Sequence, residues 1–156
     1  MKTLTIRWEV KTWEQISRDL LYSVLSLRAE VFVVEQNCPY QDVDGKDPKA
    51  LHLLGYQNGE LAAYARLFGP GDYFEHASIG RVVTSPTHRG LGLGKQRIKQ
   101  AIESLEQHWG MTVIHISAQA YLEYFYADFG FVRSGENYLE DDIPHLKMLR
   151  NPGPQS

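Results

Sequence analysis

Apolar and polar residues alternate at two different periods along this chain, and the switches between periods mark its elements. Leu4, Ile6, Trp8 and Val10 fall on every second position, which predicts a strand over 4–10 followed by a turn over 11–17. The period then lengthens. Leu20, Leu21, Val24, Leu25, Leu27, Val31 and Phe32 recur at helical spacing with Arg28 and Glu30 among them, so an amphipathic helix is expected over 18–34. Residues 33–48 hold the Pro, Gly and Asp of a long loop. Strands over 50–57 and 60–68 flank Asn58-Gly59, a dipeptide suited to the two left-handed residues of a type I′ hairpin. After a turn at Gly69-Pro70-Gly71-Asp72, residues 73–77 lead into a strand over 78–84 that breaks at Pro86.

A second helix follows. Ile98, Ala101, Ile102, Leu105 and Trp109 make its apolar stripe, which reads as core, and Gly110 ends it. A strand over 113–118, a short helix over 121–129, a strand over 131–133, an acidic loop over 136–142 and a last strand near 145–149 complete the order. No internal repeat or low-complexity stretch is present.

Composition narrows the class. With 156 residues, 43% of them hydrophobic, the chain suits one domain over 1–150 and a loose tail over 151–156. The net charge of −3 gives no overall basic field for nucleic acid or an anionic membrane, so any anion site must be local. Cys38 is the single cysteine, which excludes an intramolecular disulfide. No run of eighteen apolar residues occurs, no histidine spacing suits a metal, and the expectation is a cytoplasmic soluble protein without a metal. A homodimer stays open.

The most informative stretch joins the strand over 78–84 to the second helix. Gly90, Gly92 and Gly94 remove three side chains where the backbone turns, so successive N–H groups can face an anion at the positive end of the helix. A phosphate-bearing ligand is the natural guest. A P-loop needs four residues between its glycine and Gly-Lys, with Ser or Thr next, whereas three separate Gly90 from Gly94 and Gln96 follows Lys95. A dinucleotide fingerprint would need glycine where Lys95 or Arg97 stands. His88, Arg89, Lys95, Arg97 and Lys99 supply local positive charge, with Arg97 and Lys99 equally readable as a solvated helix face.

Arg89-Gly90-Leu91-Gly92-Leu93-Gly94, directly after a strand and Pro86, resembles the acetyl-coenzyme A loop of the GCN5-related N-acetyltransferase (GNAT) family. Downstream, Phe125-Tyr126-Ala127-Asp128-Phe129-Gly130-Phe131 is similar to that family's second motif, an aromatic-Tyr pair, three residues and Gly-Phe. The run from Phe32 through Cys38-Pro39-Tyr40-Gln41-Asp42 to Asp44-Gly45, with Ile143-Pro144-His145, resembles its ElaA-type subgroup. The resemblance implies an α+β fold with a single, mostly antiparallel, splayed sheet of about six to seven strands flanked by about four helices. It implies transfer of an acetyl group from acetyl-CoA to a primary amine of a small molecule or peptide, by direct attack in a ternary complex. A non-catalytic acetyl-CoA or CoA sensor is the alternative.

The resemblance also implies roles. Val82, Val83 and Thr84 would offer backbone groups to the pantetheine arm, with an N–H at Val83 polarising the thioester. Arg89, Gly90, Leu91, Gly92, Leu93, Gly94 and Lys95 would hold the pyrophosphate. Tyr126 would touch the cofactor and, protonated at neutral pH, act as general acid for the thiolate. Gln119 stands where many relatives have a cofactor-touching asparagine. His52, His145 and Glu35 are the candidate general bases. Asp42, Asp44 and Asp47 either attract a cationic acceptor or merely cap turns, and Cys38 lacks the adjacent base that a nucleophile needs.

Overall fold

In the computed structural model, which describes residues 5–152, eight strands form one sheet. They are β1 (Arg7–Thr12), β2 (Leu51–Gln57), β3 (Glu60–Phe68), β4 (Ala77–Thr84), β5 (Ile114–Gln119), β6 (Phe131–Arg133), β7 (Tyr138–Glu140) and β8 (Ile143–Arg150). The spatial order is β1-β2-β3-β4-β5-β8-β6, with β7 also paired to β8. Every pairing is antiparallel except β4 with β5. The α-helices are α1 (Arg18–Arg28), α2 (Leu93–Trp109) and α3 (Glu123–Ala127).

The open, mostly antiparallel mixed sheet expected from the sequence is present, and the differences are local. Leu4 lies outside the described residues, as do residues 153–156 of the tail, while β1 extends to Thr12. The helix expected over 18–34 changes character at Ala29 and continues to Glu35 as a π-helical segment, with bonds such as Gln36 N–H to Val31 O and Cys38 N–H to Val33 O. The helix over 121–129 is shorter: a 3₁₀ turn at Ala120–Leu122 precedes α3. The eighth strand, β7, comes from the stretch read as an acidic loop, closed against β8 by Asp141 and Asp142, both at positive φ. The β2–β3 hairpin turns at Asn58 (φ 52°) and Gly59 (φ 80°), both left-handed as its sequence requires.

The two faces of the sheet carry separate cores. On one, Ile98, Ala101, Ile102 and Leu105 of α2 and Tyr126 of α3 pack on Leu53, Leu67, Ile79, Ile116 and Met148. On the other, Val24, Leu27 and Val31 pack on Leu54, Tyr64 and Val83. β4 serves both. Its register with β3 slips between Tyr64 and Arg66, and Arg81 takes φ 48° there, so Ile79 and Val82 face α2 while Val83 faces α1. β4 and β5 pair only at Ala77↔Ile114 and Ser78↔His115, then part.

Trp109 anchors the end of α2 against the β3–β4 turn. A Cβ on Gly69 would sit 2.4 Å from the Trp109 ring. Gly69→Ala is therefore expected to lower stability by about 1–3 kcal/mol through overpacking; an unchanged midpoint in urea would show that Trp109 is loosely held.

Candidate functional site

Where β4 and β5 separate, a cleft of about 780 Å³ passes through the sheet. Its lining comes from both faces: Val82, Ile116, Ala118 and Tyr126 from the α2 side, and Val31, Tyr40, Arg66 and Val83 from the α1 side. From Ile79 onward the β5-facing edge of β4 has no strand partner, so main-chain groups there are available to a ligand. The closed end of the gap is aromatic, with Phe74 stacked on His115 at 3.8 Å between centroids.

Of the residues expected to meet a cofactor, Val82, Val83, Thr84, Arg89, Gln119 and Tyr126 line this one cleft. Gly90, Leu91, Gly92, Leu93, Gly94 and Lys95 do not line it but continue the chain from Arg89 into α2. Gly90 (φ 81°) and Gly92 (φ 75°) are both left-handed, and no atom lies within 4 Å of a Cβ built on either. Gly92 caps α2 with no side-chain hydrogen bond, so the first N–H groups of a 17-residue helix are left to a ligand or solvent. Gly94 is different. It is inside the helix, without a positive φ, and therefore does not serve the turn. Leu93 is buried and Lys95 exposed.

The charges near the loop are not all where the sequence suggested. Arg89 donates twice to Glu35, at 2.9 and 2.6 Å, which holds this carboxyl below its usual range. Arg97 is not on a solvated face: it is buried, donates to Thr84 Oγ1 at 2.5 Å, and leaves its Nε without a partner. Burial, only partly offset by the field of Tyr126, brings this guanidinium down to about 10, still a cation at neutral pH. Tyr126 is also buried, packed edge-on against Phe125 and Phe131, and its hydroxyl has no hydrogen-bond partner among the described residues. Burial pushes this phenol up, against the field of Arg97, and keeps it protonated.

Three base candidates reduce to one with suitable geometry. His52 is fully buried, gives its Nε2 proton to the Asp47 carbonyl at 3.0 Å, accepts from Tyr64 at 2.6 Å, and does not line the cleft. Burial lowers its pKa, so it stays neutral. Glu35 lines the cleft but is committed to Arg89. His145 lines the cleft, and because Ile143 O can only accept, the 2.7 Å contact fixes the proton on Nδ1 and points Nε2 toward Glu140, 3.3 Å away. Glu140 itself is bonded to Ser117, which also meets Tyr138. Nothing in the local pattern singled out Glu140, since β7 read as loop.

The three aspartates are chiefly ion-pair partners, and Asp44 also caps a turn, accepting from the Lys46 N–H at 3.1 Å. Arg28 donates to Asp42 and Asp47 at 2.9 and 2.8 Å, Arg66 to Asp44 and Asp47 at 2.9 and 3.0 Å, and Arg81 Nε lies 2.8 Å from Asp42. Three guanidiniums and three carboxylates thus balance one another beneath the loop. Only Asp44 of the three acids lines the cleft. The signal was a lone arginine in each of two apolar patterns, Arg28 in the helical stripe and Arg66 within Ala62-Ala63-Tyr64-Ala65-Arg66-Leu67. Cys38 is buried and faces Asp141 O at 3.7 Å; burial and nearby Asp141 and Asp142 push its thiol up, away from nucleophile chemistry. Among the described residues, no group of His, Cys, Asp and Glu is placed to hold a metal ion, and no helix is long and apolar enough to cross a membrane.

A sheet opened between its only parallel pair, with a glycine-capped helix at the mouth, defines a class of acyl-transferring protein, and the chain belongs to it. The family model for the acetyltransferase (GNAT) domain matches residues 14–151, and this protein is a member of the GNAT acetyltransferase family. It is 44% identical to protein ElaA of Escherichia coli strain K12 over 147 residues, 93% of this chain and 96% of that one. Among solved structures it is similar to a Pseudomonas aeruginosa acyl-CoA N-acyltransferase, with TM-score 0.90, 45% identity and coverage of 94% and 99%. Its likeness to Escherichia coli ElaA has TM-score 0.88, 43% identity and coverage of 94% and 100%.

The ion cluster makes stability depend on acid pH. Burial raises the Asp44 carboxyl, but bonds from Arg66 and the Lys46 N–H, with the field of Arg81, outweigh it and set the value at about 2, below the ordinary 3.8. The folded state therefore binds fewer protons than the unfolded one in this range, and the contribution, complete above about pH 4, is lost as pH falls toward 2. Urea unfolding at stepped pH should show this decline, and Asp44→Asn should flatten it.

Proposed function

We propose that the protein transfers an acetyl group from acetyl-CoA to the primary amine of a small molecule or peptide, directly and in a ternary complex. The observation that carries this reading is a single cleft containing an unpaired strand edge, a largely buried tyrosine whose hydroxyl has no partner among the described residues, and a histidine with an oriented Nε2. The residues present fit such a carrier. Gly90 and Gly92 leave the N-terminus of α2 open to the pyrophosphate, and the β5-facing edge of β4, where Val82, Val83 and Thr84 line the cleft, offers unpaired main-chain groups to the arm.

Acetyl-CoA supplies the thioester carbonyl carbon and the leaving thiol. A main-chain N–H on the β5-facing edge of β4 polarises the carbonyl oxygen as a fixed donor; Val83 is not that donor, because it falls in a hydrogen-bonded pair with Tyr64 of β3. His145 Nε2 receives the proton of the attacking amine, and Glu140, 3.3 Å from that same nitrogen, offsets the charge that the imidazole then carries. Tyr126, kept protonated by burial, gives its proton to the sulfur. Holding donor and acceptor on opposite sides of one gap contributes orientation, which in well-aligned systems reaches effective molarities of roughly 10⁵ M or more.

An amine panel assayed for free thiol tests the reaction: release that requires an amine supports transfer, while binding of acetyl-CoA without release in the presence of any amine would identify a sensor. Gly92→Asp should abolish acetyl-CoA binding in calorimetry. Tyr126→Phe should bind normally and lose roughly 10²-fold in kcat; full activity would remove the general acid.

A further inference from the structure

Arg97 is a buried cation with no carboxylate partner among the described residues. Arg28 and Arg66, the other arginines buried to this degree, are each held by two carboxylates. Arg97 has only the Thr84 hydroxyl, and its Nε is unsatisfied. Isolating a guanidinium in this way is costly, and an apolar side chain would fill the same stripe of α2, four residues after Leu93 and four before Ala101. The fold alone gives no reason for the charge.

Its surroundings give one. Arg97 Nη2 and the edge of the Phe125 ring each lie 3.7 Å from the point a Cβ on Gly94 would occupy, and Phe125 packs edge-on against Tyr126 at 5.2 Å between centroids. The field of the Tyr126 phenol acts on Arg97. Phe125 and Phe131 pack on the Tyr126 ring, and the fields of Arg97 from α2 and of the Tyr121 phenol from the preceding turn act on its hydroxyl. Among the described residues neither the guanidinium nor the phenol is bonded to a carboxylate. Thr84, which receives the Arg97 hydrogen bond, lines the same cleft as Tyr126.

We propose that Arg97 is a positioning residue for proton delivery, a cation set behind the cleft to hold the negative charge that Tyr126 acquires when its proton goes to the departing sulfur. This rests on the reading of Tyr126 as general acid. As the C–S bond breaks, its electron pair goes to sulfur and the Tyr126 O–H proton follows, giving the thiol. The amine proton leaves on His145, and tyrosinate regains a proton from solvent as His145 returns one. Arg97 acts during the interval in which the phenolate exists.

The test begins on the protein without substrates. Ultraviolet titration of tyrosinate, with each spectrum corrected by its matched Tyr126→Phe variant, isolates this phenol. In Arg97→Met the Tyr126 titration should move up by about one pH unit, and Arg97→Lys should restore most of the shift. Arg97→Gln serves if the Met variant does not fold. An unmoved titration would overturn the coupling. In turnover, Arg97→Met should lose about tenfold in kcat with KM for acetyl-CoA unchanged, and its urea midpoint should hold or rise because a lone buried charge is gone. A lower midpoint with unchanged kcat would make Arg97 a tether of α2 to β4, and a change confined to KM would make it an anion contact; either overturns the proposal. Full kcat in Tyr126→Phe would instead overturn the acid reading, and with it the use assigned to Arg97, while leaving the titration result standing.

Discussion

Two parallel strands that pair for two residues and then part are the constraint from which the rest follows. Neither strand is free to close the gap. β5 is fixed by six register pairs with β8, and β4 by β3 on its opposite edge. The separated edge of β4 therefore keeps main-chain groups that the fold itself does not satisfy, and such groups are costly when buried without a partner. A cleft passing through the sheet keeps them reachable. The same separation exposes Tyr126 from one face and His145 from the other to a common space, which no helix-to-helix pocket on a closed sheet would do.

The bulge in β4 settles how that space is lined. Arg81 in the left-handed region carries strain of about 1 kcal/mol or more, and it persists because its guanidinium is bound to Asp42 and Asp44. Simple alternation from Ile79 would put Val83 on the α2 side and Val82 on the α1 side, and the bulge reverses both. Buried ion pairs seldom add net stability over apolar packing, yet removing one partner strands a charge and costs about 3–5 kcal/mol. Such a cluster specifies a geometry more than it stabilises one. Here it ties residues 42–47 to α1, β3 and β4, fixing the loop at one end of the cleft.

The sequence made visible what is encoded locally. Asn58-Gly59, the glycines at 90 and 92, the α2 stripe and the two motifs each depend on residues within one or two turns of one another, and each stands where it was read. What depended on distant partners was hidden. The bulge is one extra residue in a β-branched run that looks uniform from Ile79 to Thr84. The aspartates could not be matched to arginines lying 14 to 39 positions away. β7 exists only because β8 pairs with it, and its three residues, Tyr138, Leu139 and Glu140, were too few within an acid-rich stretch to carry a period. Arg97 was legible in principle, because its spacing from Leu93 and Ala101 put it on the buried stripe. Its charge argued for the outside, and the spacing prevailed.

That outcome also bears on the proposed reaction, in which a chain of net charge −3 must receive an anionic carrier. On the α2 side the cleft-lining Arg89 leads into a helix N-terminus with no side-chain cap and the exposed Lys95, and the buried Arg97 lies behind the cleft, bonded to its lining residue Thr84. The hairpin side has Glu140 and Asp141 beside His145. Overall charge averages these away, but over the length of a cleft they oppose each other, and fields at short range are little screened when one charge is buried. On the proposed reaction the two substrates carry opposite charge, a polyanionic thioester carrier and a cationic amine. A cleft polarised along its length would draw each to its own end before any specific contact forms, and would disfavour either one entering backward.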